Sequence, residues 1–460
     1  MVVVGGSAAG MFAALTLARA GHKVTLVERD DVQSEQRPGA PQAFQSHSYL
    51  ARFVHNLRDV APDVQQQLMD EGAKAYGADY FPPWISDRQP RPEMADCVTL
   101  SCRRNVFDAV LARALAREPG VTLVRSSVRG LLTSDDAAPP TVVGVGTDAG
   151  ELRADLVVDA TGRRSRFAQW VTAAGGLVDE GAQAPCGNMY YTRFYAVHDG
   201  LPEPMMQRGF GEAADLGYMA AVAFQGEGAT FSISLQLEDD DEPMRAVRDA
   251  DVFETVARRT PVGRHIDPEL SSPISGVHVM AGLVNRLCRL VVDGKPGVLG
   301  LVQVGDSVCI TNPSFGRGVS FASGMAVRLR DALQTHSDMG DVALDYDASH
   351  DVDVLPWFTN AVALDVATRG RWRAALYGEP AEAPARHALD WRDLFNAAMR
   401  DRVAFDAMLG AANLLVTPEQ ALATGAEALA AIRADGWVPP FPPPTPREAM
   451  LEAAQGASVS

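Results

Sequence analysis

Two segments that lie far apart in the chain carry residue types suited to binding phosphate and hydroxyl groups. The first reads VVVGGSAAG at residues 2–10, where glycines follow three β-branched residues. Glycines at 5 and 10 allow a tight turn and bring backbone N–H groups close to a pyrophosphate, and the helix that follows points its positive dipole end at the same anion. We therefore predict a phosphate-binding turn formed by Gly5, Ser7, Ala8, Ala9 and Gly10.

An acidic residue follows this turn at the distance expected for ribose binding. Residues 23–27 read as the next strand, and Glu28 at its end can accept hydrogen bonds from a ribose 2′-hydroxyl. A 2′-phosphate would be repelled, because two unit charges about 4 Å apart near a protein surface interact by roughly 4 kcal/mol. We predict that Glu28 and the adjacent Arg29 contact the nucleotide, with Ser7 as a small replacement for the usual second glycine.

The second segment begins at Gly305-Asp306 and continues through NPSFGRG at residues 312–318. A carboxylate that leaves a buried strand can bind ribityl hydroxyls, and backbone N–H groups at a helix start can stabilise the negative charge of a reduced flavin ring. The alternative is a Pro/Gly turn that opens a core helix. Together with the first segment, the pattern predicts FAD, whose flavin end would contact Gly305, Asp306, Pro313, Gly316, Gly318 and Val319.

The composition describes a globular protein without a nucleic-acid or membrane-surface partner. The chain has 460 residues, 47% of them hydrophobic, so it can bury a large core in about two or three domains. A net charge of −17 argues against both partners, since each needs clustered Lys and Arg. Without a run of about eighteen apolar residues we expect no membrane span. Five cysteines without a C-x-x-C pair predict reduced thiols, no metal site and a cytoplasmic enzyme with a small-molecule ligand.

The order of predicted elements indicates the α/β class, with a Rossmann-like FAD-binding domain, an inserted β-sheet substrate domain and a helical C-terminal region. We place the boundaries at 1–185 for the first part of the FAD-binding domain, 186–284 for the sheet, 285–335 for the second part and 336–460 for the helices. Helices are expected at 11–20, 46–58, 62–72 and 105–117. The C-terminal helices could form a dimer surface or a lid, so both monomer and homodimer remain open.

Further motifs accompany the two segments: RPGAPQ at 37–42, RNVF at 104–107, DATG at 159–162 and YYTR at 190–193. In this combination the chain resembles the flavin-dependent monooxygenases of the para-hydroxybenzoate hydroxylase superfamily. Within that group it resembles the squalene-epoxidase-like enzymes of natural-product pathways, which include polyether epoxidases. The resemblance covers roughly residues 1–329 and is specific to flavoproteins, not to one substrate.

The resemblance implies roles for residues outside the two segments. Arg104 would contact the phosphate or ribityl part of FAD, unless it is a solvated arginine beside Arg103. Asp159 and Gly162 correspond to a motif that contacts FAD and NAD(P)H in single-component hydroxylases, but Ala160 departs from it, so NAD(P)H would act directly or through a separate flavin reductase. His47 matches a motif whose first histidine is replaced by Gln45, which favours a packing role.

The resemblance also implies a reaction. Reduced FAD would react with O₂ to form a C4a-hydroperoxide, and one oxygen atom would enter a hydrophobic natural-product intermediate by hydroxylation or epoxidation. No catalytic residue follows from the sequence, but Tyr191 and Arg193 are candidates for positioning the substrate. Alternating residues of the sheet domain are candidates for the substrate pocket, although each is also suited to a core: Met189, Tyr191, Phe194, Met219, Phe224 and Phe231.

Three other functions remain open. A flavin-dependent reductase or dehydrogenase of a carbon–carbon double bond fits residues 159–162 equally well. A flavin halogenase would share the first part of the chain, but residues 83–86 read PWIS in place of the halogenase Trp-x-Trp-x-Ile-Pro segment, and Lys74 lies in an unrelated context. A non-enzymatic flavin-binding protein would leave the substrate domain without a purpose.

Overall fold

The computed structural model describes residues 1–32, 34, 44–134, 138–181, 183–203, 205–380 and 383–456. The RPGAPQ motif at 37–42 therefore lies outside the described residues.

The strands alternate with helices in the first part of the chain and cluster in the middle. In chain order they are β1 Val2–Val4, β2 Val24–Glu28, β3 Lys74–Tyr76, β4 Thr99–Ser101, β5 Val121–Arg125, β6 Val128–Thr133, β7 Val142–Thr147, β8 Gly150–Arg153, β9 Val157–Asp159, β10 Gln183–Pro185, β11 Asn188–Val197, β12 Gly211–Asp215, β13 Met219–Gln225, β14 Thr230–Glu238, β15 Ser271–Pro273, β16 His278–Met280, β17 Val284–Leu287, β18 Val291–Val292, β19 Lys295–Pro296, β20 Leu301–Gln303 and β21 Cys309–Ile310.

The helices dominate after residue 318. They are α1 Ala8–Arg19, α2 Ala51–Val60, α3 Pro62–Asp70, α4 Arg104–Arg117, α5 Phe167–Ala173, α6 Ala250–Ala257, α7 Gly318–Thr335, α8 Met339–Asp353, α9 Leu355–Tyr377, α10 Arg386–Ala398, α11 Arg402–Ala412, α12 Pro418–Thr424, α13 Ala426–Asp435 and α14 Arg447–Gly456. Among the described residues no helix is both long enough and apolar enough to cross a membrane.

A five-stranded parallel sheet in the order β20-β9-β1-β2-β5 forms the centre of the predicted Rossmann-like part. Strands β1, β9 and β20 are buried at every residue, which is the pattern of a parallel sheet covered by helices, whereas the edge strand β5 is partly exposed. Helices α1, α2, α4 and α7 share one core with the sheet, in which Phe12, Phe53 and Phe107 pack together. Since β1, β9 and β20 end at the same edge, the residues that follow them meet there.

A six-stranded sheet contains β11 to β16, with β12-β13-β14-β11-β15 in order and β16 also on β11. Its outer face, which carries Met189, Tyr195, Ile233 and other apolar residues, packs against α6 and α14. Its inner face carries Thr192, Ser232 and Ser234 and contacts residues 45 and 46. The predicted α/β class, with an additional sheet and a helical C-terminal region, is confirmed; the domain boundaries stay predictions.

Helix α2 begins at Ala51, although the sequence predicted a helix from residue 46. The Ser46 hydroxyl lies 2.7 Å from the Ser232 hydroxyl and 2.9 Å from that of Ser234. The Ser46 side chain is therefore tied to the inner face of the second sheet, and the helix begins after this contact. Helix α1 begins at Ala8, three residues before the predicted start, and Ser7 takes the cap position.

Candidate cofactor and active site

The surrounding backbone requires glycine at two positions of the first turn. Gly5 has a φ of +103°, and a Cβ on it would lie 2.5 Å from the carbonyl oxygen of Ala160. A Cβ on Gly10 would lie 1.8 Å from the carbonyl oxygen of Gly5. The turn therefore brings β1, the first turn of α1 and the end of β9 into direct contact, and the first N–H groups of α1 at Ala8 and Ala9 are oriented as an anion site requires.

Glu28 lies beside this turn, as predicted. Its carboxylate accepts a hydrogen bond from the Gly6 N–H at 2.5 Å and one from the Asp30 N–H at 3.0 Å. A Cβ on Gly6 would lie 2.8 Å from the Cβ of Glu28, so the acid packs directly on the turn. The neighbouring Arg29 is exposed. The arrangement keeps the acid next to the position expected for an adenosine ribose.

Arg104 is buried at the start of α4 and is not a solvated arginine. Its Nη2 donates to the Ser7 hydroxyl at 3.1 Å, and its Nε donates to the Asp108 carboxylate at 2.7 Å. Only 5% of the residue is exposed. The guanidinium thus places a positive charge next to the phosphate-binding turn, where it would attract a pyrophosphate.

His47 connects Arg104 to Gln45, which contacts the inner face of the six-stranded sheet. Its Nδ1 lies 2.9 Å from the Gln45 carbonyl oxygen and its Nε2 lies 3.4 Å from Nη1 of Arg104. Burial, and then the charge of Arg104, lower the pKa of His47 to about 3. A neutral ring that donates from Nδ1 and accepts at Nε2 fits both contacts. The Gln45 side chain in turn accepts from the Thr192 hydroxyl at 2.7 Å.

The second segment, which begins at Gly305, lies against the first turn of α1 and the loop after β9. Gly305 has a φ of +64°, and a Cβ on it would lie 2.8 Å from the Cβ of Ala9. The Gly162 N–H donates to the Ser307 hydroxyl at 2.9 Å. A Cβ on Gly162 would lie 3.6 Å from the Cβ of Asp306, and one on Gly318 would lie 3.8 Å from Oδ1 of Asp306. The structure therefore brings together the three predicted segments at 5–10, 159–162 and 305–318.

Asp159 lies at this junction, and both oxygens of its carboxylate accept hydrogen bonds from nearby residues. Its Oδ1 accepts from the N–H and the hydroxyl of Thr161, and its Oδ2 accepts from the Ser165 hydroxyl and the Gln303 amide. The residue is completely buried. Asp159 thus fixes the loop after β9, and its carboxylate is engaged within the protein.

The flavin loop, defined here as residues 312–318, is held by a buried network that the sequence did not reveal. Asn312 caps its short 3₁₀ turn by accepting from the Ser314 N–H at 3.1 Å, and its amide donates to Asp365 at 2.8 Å. Asn285 also donates to Asp365, at 2.7 Å. Tyr190 from β11 donates to Asn312, so helix α9 and the sheet both hold the loop. Burial raises the pKa of Asp365 to about 6.

The exposed side of the flavin loop presents the predicted residues. Pro313, Gly316 and Gly318 are exposed and Val319 is half-buried, while Gly316 adopts a φ of +65°. The N–H groups at the start of α7 have no intrahelical acceptor, as in any helix. They are available for a flavin ring carbonyl. Asn188, Asn285 and Asp365, which hold the loop from behind, could not be found from spacing, because they belong to three separate elements.

The six predicted pocket residues divide between the two faces of the sheet. Met189, Tyr191, Met219 and Phe231 lie on the outer face, in the core that α6 and α14 cover. Phe194 and Phe224 lie on the inner face, where Ser232 is the cross-strand neighbour of both. The His278 ring stacks on Phe44 with centroids 5.1 Å apart and meets Phe194 edge-on at 6.3 Å. Only the inner pair therefore lies on the side of the FAD-binding half.

Arg193 and Tyr191, the predicted substrate-positioning residues, are both directed toward the outer face. Arg193 donates to the Glu254 carboxylate at 2.8 Å and to the carbonyl oxygens of Ala250 and Ser275 at 3.1 Å. The Tyr191 hydroxyl contacts the Met189 sulfur at 3.5 Å. These contacts join the sheet to α6 and account for both residues without a substrate.

The cysteines carry no redox pair. All five are free and buried, and burial raises the pKa of Cys97, Cys102 and Cys288 to about 12, about 12 and about 11. Such thiols are inert rather than nucleophilic at neutral pH.

Comparison with known proteins agrees with this geometry. Residues 1–203 match the FAD dependent oxidoreductase family. The chain is 24% identical over 412 residues to Protein Rv3254 of Mycobacterium tuberculosis, covering 78% of this chain and 79% of that protein. It is 26% identical over 172 residues to digeranylgeranylglycerophospholipid reductase of Thermoplasma volcanium, covering 37% and 41%.

Solved structures share the fold at low sequence identity. PqsL, a probable FAD-dependent monooxygenase from Pseudomonas aeruginosa, superposes with a TM-score of 0.61 at 14% identity, covering 81% of this chain and 98% of that one. The myxobacterial chondrochloren halogenase CndH gives a TM-score of 0.61 at 16% identity, with 98% of each chain covered. The family match over residues 1–203 supports an FAD-dependent oxidoreductase, and the solved structures support the fold.

Proposed function

We propose that this FAD-dependent oxidoreductase is a monooxygenase that transfers one oxygen atom from O₂ to a hydrophobic small molecule by hydroxylation or epoxidation. The observation that carries the proposal is the meeting of the Gly5 turn, Asp306 and the flavin loop in front of a sheet face that bears aromatic residues. FAD, once reduced, supplies the activation of O₂.

The residues at the junction fit FAD on physical grounds. A Cβ would fill the space at Gly5, Gly10 and Gly305, so the backbone there is as close-packed as a dinucleotide cradle requires. Arg104 supplies the buried positive charge for the pyrophosphate, and Glu28 supplies the acceptor for the ribose. The exposed N–H groups at the start of α7 would hold the flavin end.

The inner face is suited to an apolar substrate rather than a charged one. Phe194 and Phe224 stand on it; His278 stacks on Phe44 and meets Phe194 edge-on, and Phe224 stacks on Phe210. Burial lowers the pKa of His278, so a neutral ring is favoured there. Serine and threonine hydroxyls on the same face bond to residues 45 and 46 and close the sheet against the FAD-binding half. The aromatic residues of the inner face would orient an apolar molecule, and the closed contact between the sheet and the FAD-binding half would exclude water from it.

The electron donor is proposed to be NADH or NADPH, acting directly or through a separate flavin reductase. The carboxylate of Asp159 is engaged by Thr161, Ser165 and Gln303, so it holds its own loop rather than a second nucleotide. This favours the two-component arrangement. Rates of flavin reduction by NADH, by NADPH and by either donor with an added flavin reductase distinguish the two.

A double-bond reductase is the second candidate, favoured by the similarity to the Thermoplasma reductase. The halogenase reading has less support, because Lys74 donates to the Gly228 carbonyl and pairs with Glu203 at the border of the two sheets. The lysine is therefore already engaged within the protein.

One labelling experiment separates these functions. Enzyme loaded with FAD is reduced anaerobically with dithionite, mixed with a panel of apolar aromatic and polyene compounds, and exposed to ¹⁸O₂. A monooxygenase gives products heavier by one ¹⁸O atom, with the second atom in water. Saturated products formed before oxygen is added would support the reductase, bromide- or chloride-dependent products would support the halogenase, and peroxide alone would refute oxygen transfer.

A further inference from the structure

The inner face of the six-stranded sheet carries a buried glutamine whose amide has no partner in the described part of the chain. Gln236 lies on β14 between Leu235 and Leu237, which belong to the outer core, so the alternation of the strand directs Gln236 to the inner face. Only 7% of the residue is exposed, and its amide bonds to none of the described residues. Neither amide atom is sealed from solvent, so the side chain ends in open space.

This glutamine lies next to the side chain that contacts the flavin loop. Gln236 is the cross-strand neighbour of Tyr190 on one side and of Ala220 on the other. The Tyr190 hydroxyl donates to Asn312 and accepts from the Ser314 N–H at 3.1 Å. Residues directly opposite each other on antiparallel strands have Cβ atoms about 4.5–5.5 Å apart. The amide of Gln236 is therefore one side chain away from the flavin loop.

The hydroxyl groups farther along the same face have no proton left for a ligand. Thr192 donates to Oε1 of Gln45 at 2.7 Å, so its oxygen accepts from the Ser234 hydroxyl at 2.5 Å. Ser234 then accepts from Ser46 at 2.9 Å, and Ser46 accepts from Ser232 at 2.7 Å. Because each hydroxyl carries one proton, all four protons are used within this chain of contacts. A ligand therefore finds no hydroxyl donor in this part of the face.

The surface beside the amide is apolar. On β13, Ala220, Val222 and Phe224 are half-buried and lie on the same face as Gln236. Phe224 stacks on Phe210 with ring centroids 6.2 Å apart. An apolar molecule can therefore lie along β13 and reach the amide with one end.

The acid nearest to the amide on this strand is already neutralised. Glu238, two residues farther along β14 on the same face, accepts from Arg373 at 2.6 Å and from Arg369 at 3.4 Å. An ionised ligand group would lose its hydration there without gaining a free counter-charge from this carboxylate or its arginines, which is unfavourable. A neutral ligand group is therefore favoured.

A ligand that displaces water from the amide must satisfy both of its halves, because a buried donor or acceptor without a partner is costly. Resting on the inner face as the proposed substrate site but not on the oxygen-transfer step, we propose that Gln236 is the residue that selects the substrate by its polar group. That group is neutral and has a carbonyl oxygen beside an N–H or O–H, on an otherwise apolar molecule. Its carbonyl oxygen accepts from Nε2 of Gln236, and its N–H or O–H donates to Oε1.

The experiment uses three compounds of nearly equal shape that differ in their polar atoms: 2-naphthamide, 2-acetylnaphthalene and 2-isopropenylnaphthalene. Each is titrated into enzyme loaded with oxidised FAD, and the Kd is obtained from the change in flavin absorption. For Gln236→Leu we expect the ratio of the alkene Kd to the amide Kd to fall by about tenfold or more from its wild-type value, because two hydrogen bonds are lost. The ratio of the alkene Kd to the ketone Kd should fall less, since the ketone accepts only one of them.

The stability of Gln236→Leu tests whether the amide is engaged within the protein. Because the amide has no partner to lose, urea unfolding should show this variant to be at least as stable as the wild type. Gln225→Leu is the matched control: Gln225 is a buried glutamine on β13 whose cross-strand neighbour, Phe231, lies in the outer core. This substitution should leave the ratios unchanged.

The outcomes distinguish this inference from the proposed function. An unchanged alkene-to-amide ratio in Gln236→Leu, an equal fall in Gln225→Leu, a marked loss of stability in Gln236→Leu, or failure of all three compounds to bind the wild type overturns the role of Gln236. If ¹⁸O₂ gives no oxygenated product while the ratio falls as expected, the oxygenase proposal fails and the role of Gln236 stands. A wild-type protein that binds no FAD overturns the cofactor assignment itself.

Discussion

Gly305 and Ala9 lie in contact although they belong to opposite ends of the FAD-binding half: a Cβ added to Gly305 would stand 2.8 Å from the Cβ of Ala9. This contact joins the first turn of α1, which would bind the pyrophosphate, to the loop that would bind the flavin. It sets the spacing between the two ends of one cofactor site.

Gly305→Ala should weaken FAD binding at least tenfold and lower the free energy of unfolding by about 1–3 kcal/mol, because the φ of +64° is strained for alanine and the new methyl meets Ala9. Fluorescence titration with FAD and urea unfolding measure the two effects. Gly294→Ala is the matched control: its φ is +71°, but a Cβ there would meet nothing within 4 Å. Equal FAD affinity in both variants would contradict the proposed spacing.

Arg104→Met should destabilise the protein by about 3–5 kcal/mol, because it breaks the buried ion pair with Asp108. It should also weaken FAD binding, since Ser7 loses its donor. Thermal unfolding and FAD titration test both. Arg103→Met removes an arginine that pairs with Glu227 instead, so it should leave FAD affinity close to that of the wild type; a comparable loss would refute a specific role for Arg104.

The stability of the wild type should fall with decreasing pH relative to a His47→Gln variant. The folded-state pKa of His47 is lowered to about 3, below its unfolded value, so its contribution is complete above about pH 6.5 and is lost as the pH decreases. The difference should grow by at most about 1.4 kcal/mol per pH unit below about pH 6. Urea unfolding of both proteins between pH 7.5 and 4.5 measures it, and parallel curves would show that His47 takes up a proton in the folded state.

Arg193→Met should reduce stability by about 1–3 kcal/mol and leave FAD affinity unchanged, because Arg193 pairs with Glu254 on the outer face. A double-mutant cycle with Glu254→Gln should give a coupling energy of about 0.5–3 kcal/mol. Additive effects would instead indicate that the arginine acts elsewhere, as the sequence had suggested.

Short-range features of the cofactor site were predictable. Gly5, Gly10 and Glu28 belong to one strand, helix and strand in succession, and their spacing alone implies a dinucleotide turn. The loop at 305–318 has its own glycine, proline and aspartate signals. The sequence could not assign the faces of the second sheet: alternation identifies two faces of β11, but both faces are largely buried, so it does not show which one meets the FAD-binding half.

The amino-acid sequence by itself determined that the chain forms a parallel nucleotide-binding sheet with a second sheet inserted, because strand and turn preferences act over a few residues. Tertiary structure alone decided that Asp365 would hold Asn312 and that Arg193 would face α6. Those partners lie on separate elements, and the burial that sets their charge and hydrogen bonding exists only once α9 and the two sheets have packed together.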